Sequence, residues 1–166
     1  MANSECVSDW KQQILSDLQN DEMILNVLGV DDEEIEDGLM YKRFFPFSYI
    51  YETQTEVKTY ICVEISINRT NDVRFRNDLY VRPLITFRII GHQDDMKVTT
   101  MPTYKTKLDY IAELIDKKYN GKSINGSHEL YLLRNEALDI STTYRERVVQ
   151  FRGVSLDKAI CGSQLG

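Results

Sequence analysis

The sequence has little of what builds a metal or cofactor site. Its two histidines, His92 and His128, stand far apart, and neither has a second ligand at metal-binding spacing. Its three cysteines, Cys6, Cys62 and Cys161, include no CxxC pair, so no zinc or dithiol motif can be assembled from neighbours in the chain. The patterns GxxxxGKS/T, GxGxxG and GxSxG are all missing, which removes support for phosphate-cradling loops and for a nucleophile elbow. Nor is there a basic-then-apolar leader, or an apolar run near the roughly 18 residues that would cross a bilayer. The expectation is a chain of the reducing cytoplasm with no cofactor, no metal and no membrane span, whose cysteines are plain thiols. Cys62 lies in an apolar stretch and reads as core, while Cys6 and Cys161 flank the fold and read as exposed.

Positive charge is also short. Twenty Lys and Arg against 26 Asp and Glu give a net charge of −6, which opposes non-specific attachment to phosphate backbones. Arg69, Arg74, Arg76, Arg82 and Arg88 fall close together, and surface solvation is the plainer reading of that cluster. What the chain does have is aromatic content: ten tyrosines and six phenylalanines, far more than a disordered chain carries. At 166 residues it is long enough to bury one core without disulfides. One domain over residues 8–157 is expected, with residues 1–7 and 158–166 as flexible tails.

Along the chain, Ser8 is a candidate N-cap, followed by Trp10, Ile14, Leu15 and Leu18 on one helical face. Asn20-Asp21 interrupts this helix, Met23, Ile24, Val27 and Leu28 resume it, and Gly29 suits a C′ position. Asp31-Asp32-Glu33-Glu34 fits the start of a short helix, where the dipole favours carboxylates. It lacks the alternating ligands and glycine of a calcium loop. Phe44-Phe45-Pro46-Phe47 reads as extended or turning, because a residue before proline avoids helical geometry. Its three aromatics are either core lids or a contact surface.

Two long strands come next. Ile61, Val63, Ile65 and Ile67 alternate with Tyr60, Cys62, Glu64 and Ser66, and Ile85, Phe87 and Ile89 alternate with Thr86 and Arg88. The polar stretch between them, Asn68 to Asp78, is longer than a tight hairpin needs and is a candidate partner-binding arm. A third short strand is expected over Met96–Met101, a helix over Thr103–Asn120 with stripe Leu108, Ile111, Ala112, Ile115 and Tyr119, and two final strands, Glu129–Leu133 and Arg145–Phe151. Strands joined by short turns point to antiparallel pairing. The predicted fold is α+β, a mainly antiparallel sheet of about four to six strands with an N-terminal helix and a second long helix packed on it.

The nearest thing to a catalytic cluster is His92 with Asp94 and Asp95 at a strand end. Such a trio can hold a metal or move protons in a small hydrolase, but a hydrated polar turn accounts for it more simply. Asp109, Glu113 and Asp116 lie about a turn apart among lysines, and a solvated helix face explains them equally well.

The second half of the chain resembles the tail-terminator (tail-completion) and minor neck proteins of long-tailed bacteriophages. The resemblance rests on Lys105 to Gly121, with its Asp-x-Ile-Ala-x-Leu-Ile core and Asn-Gly end, on the turn Gly126-Ser-His-Glu-Leu-Tyr-Leu, and on the final strand Tyr144 to Phe151. It spans most of residues 8–157, more loosely in the first half. It implies a virion structural protein rather than an enzyme, assembled in the host cytoplasm into a homo-oligomeric ring, commonly a hexamer. Such a ring caps the tail tube, stops its polymerisation and joins it to the head connector, while DNA passes through the lumen unread. An acidic lining suits that passage.

A ring of identical subunits needs head-to-tail contacts, which exposed arms and edge strands supply by strand addition. The candidate contact residues are Phe44, Phe45 and Phe47; Arg69, Arg74, Phe75 and Arg76 in the arm; and Lys122 in the loop to Ser127. Deleting Thr70–Asn77 is expected to leave a folded monomer that no longer forms rings. Another neck or head-closure adaptor fits the same features, and so does a domesticated tail apparatus. A nucleic-acid mimic fits less well, because the carboxylates are spread along the chain.

Overall fold

The computed structural model describes residues 4–50, 56–69, 81–99, 104–124 and 129–153. Helix α1 (Ser4–Gln19) begins four residues before the expected cap, so Ser8 lies inside it. The apolar stripe is as read: Trp10, Ile14, Leu15 and Leu18 are all buried. The interruption at Asn20-Asp21 is a new N-cap. The Asp21 carboxylate accepts from the amides of Met23 and Ile24 at 3.1 and 3.2 Å and opens α2 (Glu22–Leu28), which Gly29 ends at φ 71°. Asp31 repeats the device, accepting from the Glu34 amide at 2.8 Å, so the acidic stretch becomes α3 (Asp32–Glu36).

Five strands form one mixed sheet: β1 (Phe44–Phe45), β2 (Thr59–Arg69), β3 (Val81–His92), β4 (Leu130–Asp139) and β5 (Tyr144–Gly153), in the order β1-β2-β3-β5-β4. All pairs are antiparallel except β1 with β2. Val63 lies opposite Phe87, and Phe87 opposite Val149, so the apolar alternate residues of three strands line one face. That face packs under α1, α2 and α4 (Lys107–Tyr119) to make the main core. Each such side chain contributes about 1.5–3 kcal/mol by leaving water.

The opposite face departs from simple alternation. Tyr60 and Cys62, expected on a more polar side, are fully buried with Ile90, Tyr144 and Phe45 in a second small cluster. The segment after β1 covers them. Tyr49 stacks on Phe45 with ring centroids 4.4 Å apart, the Ser48 amide donates to Glu64 at 3.2 Å, and Lys11 donates to the Pro46 carbonyl at 2.7 Å. Beside it, Arg88 donates to Glu146 through two nitrogens and to the Ser48 hydroxyl, a forked pairing that suits a planar guanidinium.

No strand forms over 96–99. Instead a 3-10 turn, Gln93–Asp95, follows β3, and a single bridge joins Lys97 to Thr106. The His92 ring nitrogen draws in the Asp94 amide at 3.1 Å and bends the chain away from extension. The Met96 carbonyl is then taken by the Lys107 amide at 2.7 Å. Helix α4 starts later than expected, where Thr106 and Asp109 form a reciprocal capping box. It approaches β3 closely at Gly91, where an added Cβ would lie 2.9 Å from the Thr59 hydroxyl oxygen and 3.0 Å from a Leu108 methyl. Strand β4 runs six residues beyond the expected Leu133 and carries a bulge between Leu132 and Arg134. Among the described residues no helix is long and apolar enough to cross a membrane.

Candidate assembly interface

His92, Asp94 and Asp95 are held as a turn. His92 is 6 % exposed, its Nδ1 accepts the Asp94 amide, and its ring meets Tyr144 edge-on at 5.3 Å. The Asp95 carboxylate accepts from Thr59 at 2.7 Å and from the Lys107 ammonium at 2.6 Å. That arrangement joins β2, the turn and α4, and it occupies both Asp95 oxygens. Among the described residues no group of three His, Cys, Asp or Glu gathers as a metal site requires. Burial pushes the Cys62 thiol up to about 11, which keeps it protonated and unreactive at neutral pH.

Other charges are likewise engaged inside the fold. Arg43, 6 % exposed, donates to both Glu34 oxygens at 3.1 and 2.8 Å and to the Thr59 carbonyl at 3.0 Å. Those bonds hold the Glu34 carboxyl below its usual range. Burial alone would raise the Asp21 carboxyl, but Lys118 at 2.8 Å and the two capping amides together lower it. On α4, Glu113 is bound by Lys105 and Lys117, and Asp109 by Arg147. Asp109 and Glu113 of the acidic row are thus held in ion pairs, while the Asp116 Oδ1 is buried with no hydrogen-bond partner among the described residues.

The contact residues read from sequence separate. Phe44 and Phe45 are buried to 0 % and 2 % exposure, so they are core lids and not a contact surface. They turn inward because β1 pairs with β2 at Ile61 and Cys62. Phe47 is exposed and packs at the edge of Phe45 and Tyr49. Tyr41, at φ 63°, stands exposed beside it with ring centroids 6.5 Å apart. Lys122 is exposed, and its backbone meets Leu130. Arg69 ends β2, while Arg74, Phe75 and Arg76, with the rest of the arm, lie outside the described residues.

Sequence reading placed the start of β4 but missed its second half and its exposure. Of its ten residues only Leu130 is buried, and Tyr131, Leu132, Leu133 and Leu138 are all well exposed. It pairs with β5 alone and forms one side of the sheet. Exposed apolar side chains on an outermost strand, whose backbone edge is unpaired beyond Leu132 among the described residues, are a surface made for covering. The signal was present in the unbroken run Leu130-Tyr-Leu-Leu133, which alternates with nothing polar. The opposite side of the sheet is also open: β1 spans only Ile61 and Cys62 of β2, and among the described residues nothing pairs with the outer edge beyond.

These features define a class. The molecule is an α+β domain with many of its described charges engaged in holding its own elements and, among the described residues, with unpaired strand edge on both sides of its sheet. The sequence model of the YomW family, a phage-derived family, matches residues 15–152, and the chain belongs to that family. In fold it is similar to a chain of the virion of a native gene transfer agent particle, with a TM-score of 0.58 and 12% identity, over 92% of this chain and 98% of that one. No curated protein matches the chain in sequence.

Proposed function

We infer that this chain is a virion structural protein, and that it works as a tail terminator, a ring of identical copies that caps the tail tube and joins it to the head connector. The observation that carries this reading is the fold shared, over nearly the whole of both chains, with a component of a gene transfer agent virion. Descent of the family from phage supports it. So does the surface, which offers open strand edges. The net charge of −6 suits a lumen through which DNA slides without being held. The proposed partners are the tail tube protein on one face of the ring and a neck protein on the other.

The test is electron microscopy of particles assembled without this chain. Capping predicts tubes with no upper limit to their length and without heads. Tails of normal length would overturn the capping role, and normal tails lacking heads would move the protein to the neck side of the joint.

A further inference from the structure

The two open sides of the sheet are complementary to one another. The Ile61 amide donates outward to the Arg43 carbonyl at 2.8 Å, so its backbone faces away from β3. Alternation along the strand turns the backbones of Val63, Ile65 and Ile67 the same way, and among the described residues none has a backbone partner there. On the far side, Leu130 exchanges backbone bonds with Gly121 and Lys122, and the Leu132 amide donates to the Asn120 side chain. These bonds close the first half of the β4 edge. Beyond the bulge, the register with β5 turns the backbones of Asn135, Ala137 and Asp139 outward, again with no described backbone partner. The segments Val63–Ile67 and Asn135–Asp139 thus present three outward backbones each. Because β2–β3, β3–β5 and β5–β4 are all antiparallel, β4 and β2 run in opposite directions.

We propose that the C-terminal half of β4 adds, antiparallel, to the β2 edge of a second copy of this chain, from Val63 to Ile67, and that repetition of this contact builds the ring. The inference rests on the ring reading above and names the surface that makes it. A second copy is the occupant these edges fit: rotation about a common axis brings the β4 side of one subunit to the β2 side of the next with opposed strand directions. This is a head-to-tail contact of the kind that closes into rings, and antiparallel addition is the stronger mode of pairing.

Charge and sterics select the register. Within one subunit Ala137 is level with Ile61, through Arg147 and Ile89, but β1 already occupies Ile61 and Cys62. A step of two residues would still press Asp139 onto Ile61 and would set Glu136 opposite Glu64. A step of four, with Ala137 opposite Ile65, clears β1 and places Glu136 opposite the exposed Ser66 and Leu138 opposite Glu64. That step is about 13 Å along the strand. In a ring closed by rotation alone it requires strands inclined to the axis, as in a closed barrel.

The test uses the full chain with Cys6→Ser and Cys161→Ser, adding Ser66→Cys and Glu136→Cys. In the proposed register these form a directly opposed pair on one face, within the ~4.4–6.8 Å Cα separation a disulfide spans. Mild oxidation should give a ladder of covalent multimers on a non-reducing gel, absent when either new cysteine is present alone. In parallel, Ala137→Pro removes an amide that β5 does not use. It should leave the unfolding transition of the subunit nearly unchanged while abolishing rings. Rings that form without the ladder, or that persist in Ala137→Pro, overturn this pairing and leave the ring reading standing. A parent chain that forms no ring overturns both. Where Ala137→Pro fails to fold, the cysteine ladder alone decides.

Discussion

Arg88 and Glu146 show how much of the polar chemistry is spent on holding the fold. The Glu146 side chain is 3% exposed and that of Arg88 23%, so removing the cation leaves a nearly buried carboxylate without its partner. Arg88→Ala should cost about 3 kcal/mol in denaturant unfolding, the lower end for a buried pair because the guanidinium reaches solvent. The double variant with Glu146→Ala should be less destabilised than the two single changes added together. Additive costs would show that the pair is not coupled. Glu34 gives a pH signature. Arg43 holds its folded pKa below the usual 4.5, so its contribution is fully present above that value and is lost as pH falls through the folded pKa. The stability gap between wild type and Glu34→Gln should therefore narrow below about pH 4.5. A gap constant across that range would contradict the assignment.

At the scale of elements, Gly91 decides how closely α4 can approach the sheet. A methyl there would press on the Thr59 hydroxyl, which Asp95 holds at 2.7 Å, and on Leu108. Gly91→Ala should cost about 1–3 kcal/mol by overpacking, read as a lower unfolding midpoint. An unchanged midpoint would mean that α4 shifts freely. The same elements mark what could be read from sequence. Helix stripes such as Ile14, Leu15 and Leu18 and strand alternation such as Ile61, Val63 and Ile65 are local patterns, and they report burial directly. The second cluster under Phe45 was not legible, because Tyr60 and Cys62 are buried by residues about a dozen or more positions earlier. Over 96–99 the expected third strand is absent, following a 3-10 turn that His92 caps by accepting the Asp94 amide, and positions 100 and 101 lie outside the described residues. Strand β4 was underestimated because an edge exposed on both faces has no alternation to detect.

At the scale of the molecule, the proposed ring joins the acidic composition, the open sheet edges and the fold shared with a virion component in one account. The α+β class and the assembly reading came from the order of elements and from a resemblance in the second half of the chain. The surface proposed to carry assembly came only from the sheet topology, since which strand lies outermost is not written in any single stretch of sequence. The most direct test is native mass spectrometry of the purified chain across a concentration series. The account predicts a discrete closed species of six 19.4 kDa copies, about 116 kDa, with no open-ended series above it. A chain that remains monomeric to the highest concentrations, or that grows without closing, would contradict it.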